Sequence, residues 1–96
     1  MASGVGTATL DFGSAPGTNI TTVVVTGQAG ITSDSHVEPW FMGETTATHN
    51  AYEHMVAPIK VTVDKSSIVA GTGFTITAVT EWRLTGTFIV HWVWST

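Results

Sequence analysis

The chain contains no cysteine, which excludes disulfide staples and thiolate metal sites. Charge is also scarce. Charged residues make up 10% of the sequence, against roughly a quarter in an average soluble domain. Lys60, Lys65 and Arg83 are the only cations among three basic and seven acidic residues, and they form no run. A nucleic-acid binder needs several clustered cations to displace counterions from phosphate. At a formal charge of −4, no nucleic-acid partner is expected. Long apolar runs are missing too. The chain is 43% hydrophobic with a mean hydropathy of +0.27, yet no stretch approaches the roughly 20 apolar residues of a spanning helix. No membrane partner is expected. The opening "MASGVGTATL" lacks the basic and apolar regions of a signal peptide and the second-position glycine of a myristoylation site. Asn19-Ile20-Thr21 matches the glycosylation triplet, a match that means little without a secretion signal.

Threonine is present in quantity, with eighteen copies in 96 residues. That length corresponds to one domain, residues 1–96, with one modest core and little surplus stability. A neutral, threonine-covered surface resists association less well than a charged one. It suits a protein that works with neighbours packed against it.

The hydrophobic period is two almost throughout. In "TATLDF" (7–12), Ala8, Leu10 and Phe12 alternate with Thr7, Thr9 and Asp11. A β-branched run starts at Ile20 and includes "VVV" (23–25), and "PIKVTVD" sets Ile59, Val61 and Val63 against Lys60, Thr62 and Asp64. "GFTITAVTEW" places Phe74, Ile76, Ala78 and Trp82 on one face; "GTFIVHWVWS" places Phe88, Val90, Trp92 and Trp94 opposite Ile89, His91 and Val93. Strict alternation marks half-buried strands. The pieces between them, residues 13–19, 27–35, 64–67 and 69–73, are rich in turn formers. The pattern predicts an all-β fold, a small antiparallel β-sandwich or barrel. At most one short helix is expected, at about 48–56 within "ATHNAYEHMVA" (47–57), with Thr48 as its N-cap.

Histidines supply the one hint of site chemistry. "HNAYEHM" (49–55) holds His49, Glu53 and His54, and "HVEPW" adds His36 and Glu38. Helical metal ligands sit at i and i+4. His49 and His54 are five apart, which turns them roughly 140° from each other on a helix and onto opposite faces of a strand. Neither regular conformation lets both bind one ion. His36 and Glu38 share a face on a strand, and a third ligand would have to come from His49, Glu53 or His54 across a loop. The alternative is structural: Glu53 follows His49 at the spacing of an ordinary helix pair, and His54 lies near the helix end. The structural reading is preferred, so no metal or other cofactor is expected.

Catalytic signatures are weak. "SDSH" (33–36) groups Ser, Asp and His without a nucleophile elbow, and "AGTGFT" (70–75) lacks the lysine of a phosphate loop. No catalytic residue is assigned. The tryptophans invite two readings. Exposed, Trp92 and Trp94 could stack on sugars; buried, they are the largest pieces of the core. Their continuation by Phe88 and Val90 favours the core.

Several strings taken in order, "LDFGSAPGTN", "VTGQAGI", "VEPWFM", the H-N-x-x-E-H of "HNAYEHM", "VAGTGFTI" and "RLTGTFIVHWVW", resemble short β-rich structural proteins of tailed bacteriophages. The resemblance spans roughly residues 9–95 and brings no catalytic or binding residues with it. It implies a non-enzymatic virion protein, made in the host cytoplasm. Its expected role is capsid decoration or cement, or a component of a head or tail fibre. The implied partners are further copies of the chain, in a symmetric homo-oligomer such as a trimer, and other virion proteins. A rival reading is a small binding module for carbohydrate or metal, using surface tryptophans or histidines. Strands apolar on both faces need cover on both, and the 47–57 segment looks too short to give much. Ile89, His91 and Val93 are therefore the expected interface.

Overall fold

A computed structural model of the chain describes residues 2–56 and 58–96. Among these described residues, six strands form two three-stranded antiparallel sheets. They are β1 (Ser3–Asp11), β2 (Thr18–Val25), β3 (His36–Trp40), β4 (Ile59–Val63), β5 (Phe74–Leu84) and β6 (Thr87–Ser95). One sheet has the order β1-β6-β3 and the other β2-β5-β4. The long consecutive strands β5 and β6 are thus the two sheet centres, joined by a tight corner at Thr85-Gly86. That corner is pinned to the end of β1, because Phe12 N–H donates to the Gly86 carbonyl and Gly86 N–H to that of Gly13, each at 2.8 Å. The all-β expectation holds.

The inner faces meet in one core of Leu10, Phe12, Val25, Ile31, Phe74, Ile76, Ala78, Phe88, Val90, Trp92 and Trp94. Each strand places alternate residues there, as the period of two requires. Trp92 and Trp94 are only 5% and 3% exposed. Their size is accommodated by the strand beside them: Gly4 is opposite Trp94 and Gly6 opposite Trp92 in the β1–β6 register. A Cβ placed on Gly6 would lie 2.6 Å from the Trp92 ring, and one on Gly4 would strike the Trp94 indole. Large residues on the central strand are matched by the absence of a side chain on its neighbour. The Trp94 indole N–H donates to Gln28 Oε1 at 2.9 Å, and the Trp92 ring meets Phe74 edge-to-face at 5.4 Å.

Two expectations are corrected. Trp82 does not share the buried stripe of Phe74, Ile76 and Ala78. Thr80 continues that stripe, and Trp82 is 63% exposed. The Thr80 hydroxyl donates to the Trp82 carbonyl at 3.0 Å and lies 3.3 Å from the Trp82 N–H. Opposite this end of β5, the pairing with β2 shifts register between Thr18 and Ile20, so regular alternation stops there. Among the described residues there is one α-helix, α1 (Ala51–Val56), and it begins later than expected. Its cap is Asn50 rather than Thr48: Glu53 N–H donates to Asn50 Oδ1 and Asn50 N–H to Glu53 Oε1, both at 2.9 Å. This reciprocal capping box satisfies two donors at once. Thr48 is engaged with β6 instead.

Candidate interaction surface

The sheet β1-β6-β3 has two edges and an outer face, and each is finished differently. β3 pairs with β6 only from Ser95 to His91. Beyond that point the backbone of β6 on this side would be unpaired, and a buried, unpaired amide or carbonyl is costly. Side chains from residues 46–54 take the place of the missing strand. Thr46 Oγ1 donates to the Thr87 carbonyl at 2.9 Å, and Thr87 N–H donates to Thr48 Oγ1 at 2.8 Å. Ile89 N–H donates to His54 Nε2 at 2.9 Å.

His54 is 2% exposed. Its Nδ1–H donates to the Asn50 carbonyl at 3.0 Å, which leaves Nε2 as the acceptor for Ile89. The ring thus acts in one neutral tautomer, fixed by partners at both nitrogens. His49 stacks on Phe88 at 4.0 Å. Its Nε2 donates to the Thr85 carbonyl, with Glu53 Oε2 3.1 Å from Nδ1. The expected His49–Glu53 helix pair is present. Hydrogen bonds from the Asn50 backbone and from His49 hold the Glu53 carboxyl below its ordinary range.

The outer face of this sheet carries Ile89, His91 and Val93, all half-buried. Part of their cover comes from the chain itself. His91 stacks on Trp40 at 5.7 Å, and its Nε2 lies 3.1 Å from Glu44 Oε2. Both atoms are buried at an ion-pair distance but without hydrogen-bond direction. That cover comes from Trp40 at the end of β3 and from Glu44 just beyond it. Val5 of β1, opposite Val93 in register, is 70% exposed and extends the apolar face. The periodicity of "SGVGTATLD" contained that signal, since Val5 is its one large apolar residue out of phase with Leu10. On the other sheet, Ile20 and Val79 are directly opposed on the outer face and both exposed, as is Val24.

His36 and Glu38 share a face as expected, 2.8 Å apart and both exposed. Neither His49, Glu53 nor His54 joins them: among the described residues no three His, Cys, Asp or Glu side chains gather into a metal-binding group. A cleft of about 290 Å³ lies between residues 34–37 and Val63, Lys65 and Ile68. Asp34 and Lys65 pair across its mouth at 3.5 Å, both well exposed. Ser35 and His36 line this cleft, yet Ser35 bonds to Thr32 and His36 to Glu38. The "SDSH" residues thus form a turn and its exit.

No family model matches the chain, and neither does any curated protein or solved structure.

Proposed function

We propose that this chain is a non-enzymatic structural subunit of a tailed-bacteriophage particle, acting as a symmetric homo-oligomer in capsid decoration or in a head or tail fibre. The observation that carries this reading is the set of exposed apolar residues on the outer faces of both sheets, Val5, Ile20, Val24 and Val79. They are set among threonines in a chain with few charges to oppose association. The ordered sequence strings noted above supply the particle context. Ile89, His91 and Val93, with Val5 beside them, form the proposed contact on the β1-β6-β3 face.

The rival reading, a carbohydrate- or metal-binding module, loses its best ring pair because Trp92 and Trp94 are buried. It retains Trp82 and the His36–Glu38 pair. Native mass measurement at micromolar concentration tests the proposal. A symmetric oligomer is expected, with Ile89→Glu and Val93→Glu giving smaller species that keep their β spectrum. A wild-type monomer with Val93→Glu indistinguishable from it would remove the homo-oligomer and favour the binding module. Recovery of the chain in fixed stoichiometry from purified particles tests the particle context.

A further inference from the structure

The four edge strands are not equally protected against pairing with another chain. β3 and β4 are five residues each. β3 contains His36, Glu38 and Pro39, and β4 contains Lys60. Short strands, charge and proline are the usual means of blocking strand addition. β2 is eight residues long without charge or proline, but its pairing is broken by the register shift between Thr18 and Ile20. β1 has no proline, and its one charge, Asp11, is its last residue. It is nine residues long, pairs with β6 without a register break, and carries no charged side chain from Ser3 to Leu10.

The backbone of β1 faces outward at known residues. Thr96 N–H donates to the Ala2 carbonyl, and Phe12 N–H to that of Gly86, so even-numbered residues turn their backbone groups toward the β6 side. Backbone groups alternate in direction along a strand. Ser3, Val5, Thr7 and Thr9 therefore direct theirs away from β6. Asp11 agrees, because its carbonyl accepts from the Thr21 hydroxyl of β2. Among the described residues no hydrogen bond ends on the outward backbone of Val5, Thr7 or Thr9.

We propose that β1 is the strand through which two copies of this chain pair, antiparallel about a two-fold axis at Thr7. This deepens the homo-oligomer reading above and rests on it. A second copy is the occupant because the edge is self-complementary. Thr7 is the middle residue of β1, so a two-fold there sets Thr7 against Thr7 of the other copy, Val5 against Thr9 and Ser3 against Asp11. Thr–Thr and β-branched pairs are favourable across antiparallel strands. The arrangement is isologous, as closed dimers require. In a chain of net charge −4, it also pairs strands that are uncharged from Ser3 to Leu10 and keeps the single carboxylate, Asp11, opposite Ser3 at either end. Each three-stranded β1-β6-β3 sheet would become half of a continuous six-stranded one, with Val5 on its outer face.

Sedimentation of the full chain at tens of micromolar tests this, with two variants and one control. Thr7→Pro removes an outward N–H and costs no bond to β6; Val5→Lys adds a charge to the edge; Thr62→Lys adds one to β4. The expected result is a wild type and Thr62→Lys of dimer mass or a multiple of it. Thr7→Pro and Val5→Lys should each run at half that mass or less, with the β spectrum unchanged. Should Thr7→Pro fail to fold, Thr9→Pro, which removes another outward N–H and leaves the Val5 face unchanged, decides. If folded variants keep the wild-type mass, the β1 assignment is wrong and the homo-oligomer reading stands. If wild type is a monomer throughout the range, both fall.

Discussion

On one side of β6, Thr46, Thr48 and His54 bond the backbone of Thr87 and Ile89 where β3 has ended; on the far edge of the same sheet, β1 presents Val5, Thr7 and Thr9 with no such cover. The first flank is built from threonines, two histidines and a capping box. The second is built from glycine, threonine and packing against tryptophan. A chain this short could have left both edges bare. It uses most of the 41–56 segment to close one of them, and the comparison directs attention to the edge that stays open.

The comparison breaks most completely through its shared centre. Trp92→Glu would place a charge in the core beneath both flanks, and no partner there offsets its desolvation. No folded protein is expected, and circular dichroism should show loss of the β spectrum. On the open flank, Gly6→Val should drive a side chain into the Trp92 ring. Overpacking of that kind costs about 1–3 kcal/mol, read as a lower urea midpoint. On the closed flank, His54→Ala should cost about 1–3 kcal/mol by leaving the Ile89 amide buried and unpaired. Protection of that amide from hydrogen exchange should fall more than that of Val90. The smallest effect is acid sensitivity. The Glu53 carboxyl is held below its ordinary value near 4.5, so its stabilising contribution is complete above that pH and lost as pH falls through the lower folded value. Glu53→Gln should flatten this part of the stability curve in acid denaturation, and no change at Gly6 should do so.

Alternation alone made the strands legible, because a two-sided period survives in every long segment from Thr7 to Trp94. The burial of Trp92 and Trp94 followed from the same stripe. Three features were less visible for distinct reasons. The exposure of Trp82 depends on where β5 outruns its partner, and a register break between Thr18 and Ile20 leaves no mark in hydrophobic periodicity. The cap moved from Thr48 to Asn50 because Thr48 finds a tertiary partner in Thr87, while Asn50-x-x-Glu53 is a local signal that the preference for threonine obscured. The role of His54 depends on a strand 35 residues away, which spacing within "HNAYEHM" does not encode. The His49–Glu53 pair was readable from its spacing; the strand-edge role of His54 was not.

The central claim is that one edge of the β1-β6-β3 sheet is closed within the chain and the other is closed by a second copy. Amide hydrogen exchange measured across a range of protein concentrations tests it most directly. Ile89 is bonded within the protomer, so its protection should not change with concentration. Val5, Thr7 and Thr9 should be exposed at low concentration and become protected together as concentration rises, since pairing depends on mass action. If their exchange stays fast while the protein is demonstrably oligomeric, β1 is not the pairing edge and the account is contradicted.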